Sequence, residues 1–137
     1  MRIGRLVLTG AAVGTILGTG RADLNDTHVV DPAWPPHARF HGAAGWGTVV
    51  GSQLLALWLL WQPSQDGPER DLATRIAALL PTIARAPFYF ALVVPGTAVE
   101  DQPGQLPRFA RVPINLIPAT LVPLVPGLGY AWHRSGH

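Results

Sequence analysis

Charge is missing from long stretches of this chain, and that constrains its fold more than any motif does. Residues 6–20, 42–65 and 112–132 hold no Asp, Glu, Lys or Arg, and residues 76–97 hold one, Arg85. Crossing the hydrocarbon core of a bilayer takes about 20 predominantly apolar residues. Three of these stretches reach that length. The first reaches it by including Arg2 and Arg5, whose stems can snorkel to the headgroups. Over 137 residues, 13% are charged and 48% hydrophobic, about half the charged share of an ordinary soluble domain. That is too little charge for a water-facing coat. The expectation is an all-α, four-helix transmembrane bundle. It forms one integral membrane domain over residues 1–137, with helices near 3–20, 37–61, 72–95 and 108–132.

The cations are ten arginines with no lysine. A basic balance often points to nucleic acid. These arginines are scattered singly, with no cluster or stripe, so no nucleic-acid partner is expected; they read as membrane-flanking anchors. The split across the faces is five (Arg2, Arg5, Arg70, Arg75, Arg134) against four (Arg21, Arg39, Arg108, Arg111). Arg2 and Arg5 flank the first helix, which favours the N-terminus inside. Arg, Ala, Gly and Pro usage fits a GC-rich bacterial genome, so a multi-pass location in a bacterial plasma membrane is expected. There is no Cys, which removes disulfides, thiolate metal sites and Cys nucleophiles. The N-terminus imitates a signal peptide, but no A-x-A-like cleavage site follows the run, so the first helix is expected to be retained.

Within the first helix, Gly10, Gly14 and Gly18 form two overlapping G-x-x-x-G spacings. Small residues let helix backbones approach in lipid, so this face is expected to pack inside the bundle or against a second copy. The second helix carries a polar stripe of His37, His41, Gly45, Thr48 and Ser52, with Trp58 and Trp61 as an interfacial belt. Pro81 and Pro87 should kink the third helix. Its Arg85 lies deep enough to need an interior partner, for which Asn115 is the expected group. The fourth helix carries Pro113, Pro118, Pro123 and Pro126, tolerable in lipid only if neighbours or bends satisfy the freed carbonyls.

The polar chemistry is concentrated between the first two helices. Residues 25–41 hold His28, His37 and His41, three of the five histidines, with Asp26, Asp31, Trp34 and three prolines. Pro35 and Pro36 make a stiff connector and a sharp helix start. His37 and His41 then stand at i and i+4, on one helix face. Counting four spans puts this first loop and the third, with Glu100 and Asp101, on the same side of the membrane. Imidazoles facing carboxylates are raw material for an acid–base pair or a metal site. The catalytic candidates are His37, His41, Asp101 and Arg85. The candidate ligands for a divalent metal ion are His28, His37, His41 and Asp101. Asp26 and Asp31 read as turn caps. No G-x-S-x-G, H-E-x-x-H, P-loop or dinucleotide fingerprint is present.

The run Asn25-Asp26-Thr27-His28 and the run Asp31-Pro32-Ala33-Trp34-Pro35-Pro36-His37-Ala38-Arg39-Phe40-His41, with Pro95-Gly96-Thr97 and Asp101, resemble a family of small four-span membrane proteins of unknown function. That family is built on an N-x-T-H…N-P-x-W-P-P-H-A-R-F-H pattern; Asp31 stands where it has Asn. The layout is more distantly similar to sterol-isomerase and sigma-2-type membrane bundles, a likeness of architecture that implies no catalytic residue.

Two functions follow as expectations. One is a membrane-embedded enzyme acting on a lipophilic small molecule through a His/Asp cluster at one membrane face. The other is a non-catalytic module binding a membrane lipid or a partner helix, as in a homo-oligomer joined through the Gly faces, with the His-rich loop as a structural clasp.

Overall fold

Proline and glycine punctuate the apolar stretches, and the elements begin and end at them. The computed structural model describes residues 2–63, 66–100, 104, 106–122 and 124–135, with the side chains of residues 2 and 119 outside the description. Helix α1 spans Arg2–Asp23, α2 Pro36–Trp61 and α3 Gly67–Ala91. Both α2 and α3 start with a proline in the first turn, where its missing N–H would have no helical partner anyway. Helix α3 starts ahead of the expected residue 72 because Gly67-Pro68 is such a start. It runs through Pro81 and Pro87 and ends before Pro95.

The expected fourth helix, 108–132, does not form as one element. Strands β1 (Arg108–Phe109) and β2 (Val112–Pro113) pair antiparallel, then α4 (Leu116–Leu121) and α5 (Leu124–Arg134) follow. The prolines explain the break. Each removes a donor and turns the residue before it away from the helical region. Pro118 and Pro126 stand third in α4 and α5, inside the first turns where proline is tolerated. The hairpin turn uses Ala110 and Arg111 at φ 49° and 69°, a left-handed pair that normally selects Asn-Gly.

Helix α1 is central, packing on α2 and α5, while α2 also packs on α3. The directions alternate. Arg5, at the start of α1, donates to the Leu60 carbonyl near the end of α2 and lies 4.4 Å over the Trp61 ring. Trp61 Nε1 donates to Thr9 Oγ1 at 2.9 Å. The start of α1 also meets the end of α5, where a Cβ on Gly4 would stand 2.6 Å from both Gly129 O and His133 N. Tyr130 joins α5 to the start of α3: Arg75 Nε donates to its hydroxyl at 2.7 Å, and the hydroxyl donates to Asp71 at 3.1 Å.

The interior is small or polar. Ala12, Ala56, Ala73, Ala77 and Ala78 are buried with Leu8 and Leu60, beside Thr15, Thr19, Gln53 and Thr74. The threonine hydroxyls bond back one turn, Thr15 to Ala11 O at 2.8 Å and Thr19 to Thr15 O at 2.7 Å, so their buried hydroxyl hydrogens are satisfied within the helix. The large apolar side chains face outward: Leu17, Leu54, Trp58, Leu79, Ile83, Phe90 and Val93 are all exposed. Soluble proteins arrange these classes the other way round. Among the described residues two helices, Ile3–Asp23 and Pro36–Trp61, are long and apolar enough to cross a membrane. The glycine stripe of α1 is not in the interior. Nothing lies within 4 Å of a Cβ placed on Gly10, Gly14 or Gly18. The close helix approach uses Gly4 and Gly129 instead.

Candidate functional site at the loop-one face

Loop one (24–35) is built around Asn25. Its Nδ2 donates to Arg21 O at 3.0 Å and Ala22 O at 2.8 Å, closing the end of α1. Its Oδ1 accepts from Thr27 N at 2.9 Å and Thr27 Oγ1 at 2.7 Å. His28 Nδ1 lies 2.9 Å from Thr27 Oγ1 and 3.2 Å from Asn25 Oδ1. The amide oxygen can only accept, and the Thr27 hydroxyl hydrogen is already committed to it. The network therefore places the His28 proton on Nδ1 and leaves Nε2 with a lone pair. Asp31 caps the next turn, accepting from Ala33 N at 2.8 Å, as an Asp-Pro opener should. The Trp34 ring packs 5.3 Å from that of His28. The loop lies down on α2 at Gly42, where a Cβ would come 2.7 Å from Val29 Cγ2.

Beside this loop stand two half-buried groups of opposite charge. Asp23, at the end of α1, interacts electrostatically with both Arg85 of α3 and His28. Asp23 and Arg85 are both half-buried, and Arg85 Nε is buried without a hydrogen-bond partner among the described residues. The expected partner, Asn115, is engaged elsewhere, donating from Nδ2 to Val99 O at 3.0 Å. Asp23 was identifiable by counting, because the ends of a first and a third antiparallel helix share one face. It stands three residues beyond the uncharged run 6–20, and loop acids read as solvated.

His37 and His41 are brought together as their spacing predicts. Their Nε2 atoms are 3.0 Å apart, one ring edge-on to the other at a centroid distance of 4.5 Å. Both are exposed, with Phe40 stacked beside His37. In this bond one imidazole donates from Nε2 while the other accepts there, so the two rings are opposite tautomers.

In loop three Glu100 is not a free base. Its carboxylate accepts from Gly104 N at 3.0 Å and Leu106 N at 3.1 Å and pairs with Arg108. The backbone donors, with Arg108, hold this carboxyl below the usual range. Asp101 lies outside the described residues. Among the described residues no three His, Asp or Glu side chains converge as a metal-binding group.

The family profile described as a family of unknown function, DUF6640, matches residues 7–136. The chain belongs to the DUF6640 family. No curated protein and no solved structure matches it. The DUF6640 match takes in Asp23, the whole of loop one, the His37–His41 pair, Arg85 and loop three. The expected membership of a family of unknown function therefore holds for nearly the entire chain.

Proposed function

We propose that this DUF6640 protein is a multi-pass integral membrane protein acting on a lipophilic small molecule at its loop-one face. Four spans cross the bilayer: α1, α2, α3 and the broken α4–α5 segment. The distribution of side chains supports this reading, because most of the large Leu, Ile, Phe and Trp side chains face outward from a core rich in Ala and Thr. In this reading His28 Nε2 is the base, Asp23 sets its charge environment, and Arg85 anchors an anionic group of the substrate. His37 and His41 stand at the rim for proton exchange.

The catalytic part is carried by Arg85, whose Nε is buried without a hydrogen-bond partner among the described residues and which, like His28, interacts electrostatically with the half-buried Asp23. A clasp needs Asn25 and Thr27, whose hydrogen bonds stay within the loop and the end of α1. It has no use for an ionisable pair at the membrane face, and such pairs are costly unless they function. The second reading, a non-catalytic module with loop one as its clasp, is favoured by the complete use of Asn25 in local bonds.

Lipid profiling of a strain lacking the protein separates the two. The enzyme reading expects a lipophilic compound to accumulate. Wild-type protein should clear it, and folded, membrane-inserted Asp23→Asn and His28→Ala variants should not. Full clearance by both variants would overturn this reading. The module reading expects Asn25→Ala to lose folding while Asp23→Asn behaves as wild type.

A further inference from the structure

We propose that His37 and His41 form a two-histidine chelate for a divalent transition metal of tetragonal preference, copper(II) above all, on the membrane surface. The inference shares two residues with the proposed function but not its outcome, since the ion is read directly and without substrate.

Two imidazole nitrogens bound at about 2.1 Å stand about 3.0 Å apart when they occupy cis positions at a right angle, and about 3.4 Å apart at a tetrahedral angle. The His37 and His41 Nε2 atoms are 3.0 Å apart. The pair is thus spaced for adjacent corners of a square or octahedron, the geometry of copper(II) and nickel(II) with nitrogen and oxygen ligands. Tetrahedral zinc would have to spread the rings. Affinity for a given nitrogen site also peaks at copper(II) among the first-row divalent ions.

The surroundings leave the ion room. Both rings are exposed, so water can complete the coordination shell. Both sit on a helix, which holds them on one face, one turn apart. Pro35 and Pro36 fix the start of that helix, so the pair is organised before the ion arrives. The positive end of the α2 dipole opposes a cation, and the first turn holds no acid to offset it. That field is weak at an exposed site and sets a lower affinity without displacing two nitrogen ligands.

The proton balance is simple. In the free pair one ring carries its proton on Nε2 and donates it to the other. On binding, that ring moves its proton to Nδ1, so both Nε2 lone pairs face the ion. Two waters leave the hydrated ion, and no net proton is released from neutral rings.

The test uses the whole chain in detergent micelles, titrated with copper(II) alone at neutral pH. Binding is followed by calorimetry and by electron paramagnetic resonance. One equivalent should bind with hyperfine coupling to two imidazole nitrogens. His37→Ala and His41→Ala should each weaken it by about a hundredfold, the loss of an intramolecular second ligand. His133→Ala should leave it unchanged. Nickel(II) should bind more weakly and zinc(II) should not compete at equal concentration. Because both rings are exposed, the variants are expected to fold; His41→Gln is the second choice if His41→Ala does not. A signal from one nitrogen or none, or a site that survives in both folded variants, would overturn the proposal. The lipid-profiling outcome is unaffected either way.

Discussion

Asp23 closes α1 and Arg85 stands late in α3; both are half-buried, and their opposite charges interact electrostatically. Their attraction acts between the first helix and the third where neither group is fully hydrated. Breaking a buried pair by removing one partner costs about 3–5 kcal/mol, because a charge is left uncompensated. Asp23 and Arg85 are half-buried and interact without a direct salt bridge, so a much smaller loss is expected, about 0.5–1 kcal/mol. Asp23→Asn and Arg85→Gln should each lower the thermal unfolding midpoint in detergent. The double variant Asp23→Asn/Arg85→Gln should be more stable than Arg85 left alone in Asp23→Asn. A double variant less stable than either single one would show that the two residues act separately.

Gly4 marks the tightest helix contact. A methyl group there would meet the backbone of α5 at Gly129 and His133, and backbone cannot rotate out of the way. Gly4→Ala should destabilise by about 1–3 kcal/mol, the usual cost of overpacking. Gly14→Ala, which meets open space, should be neutral or gain about 0.5–1 kcal/mol from helix propensity. Denaturation midpoints of the two variants in the same detergent check this. Equal effects would mean α5 does not rest on α1.

Glu100 gives loop three a pH dependence of known sign. Its carboxyl is held low by the Gly104 and Leu106 amides and by Arg108. A carboxyl lowered in the folded state contributes its stability above the unfolded value, about 4.3. That contribution is lost as pH falls through the lower folded value. Hydrogen exchange at the Gly104 and Leu106 amides should therefore be slow above about pH 5, allowing for the intrinsic rate, and speed up in more acid solution. In Glu100→Gln the protection should be weak at every pH. Wild-type protection unchanged down to pH 2 would contradict the clamp.

Much of the architecture was legible in the residues, for identifiable reasons. The first three helices follow from uncharged runs bounded by Pro36, Pro68 and Pro95-Gly96. The i, i+4 spacing alone joined His37 to His41. The fourth helix was misread because proline is ambiguous in apolar segments. It can bend one helix or start the next, and the Leu-Ile-Pro and Leu-Val-Pro runs are starts. Periodicity also could not say which way the α1 glycines face. Gly10, Gly14 and Gly18 look like a packing face, yet backbone contact is made at Gly4, where α5 crosses. Asp23 escaped notice because pairing with Arg85 is a property of two helix ends and not of any local pattern.

The central claim is that Leu, Ile and Trp on the outer faces of α1, α2 and α3 lie against lipid. The chain has no cysteine, so single cysteines placed at Leu17, Leu54 and Ile83, all exposed, report their own environment. Thr27, exposed in loop one, provides the water-accessible control. Labelling with a maleimide, which reacts only with thiolate in water, should modify Thr27→Cys in intact membranes. It should leave Leu17→Cys, Leu54→Cys and Ile83→Cys unmodified until the protein is denatured. Labelling of all four at the same rate in intact membranes would contradict a transmembrane bundle.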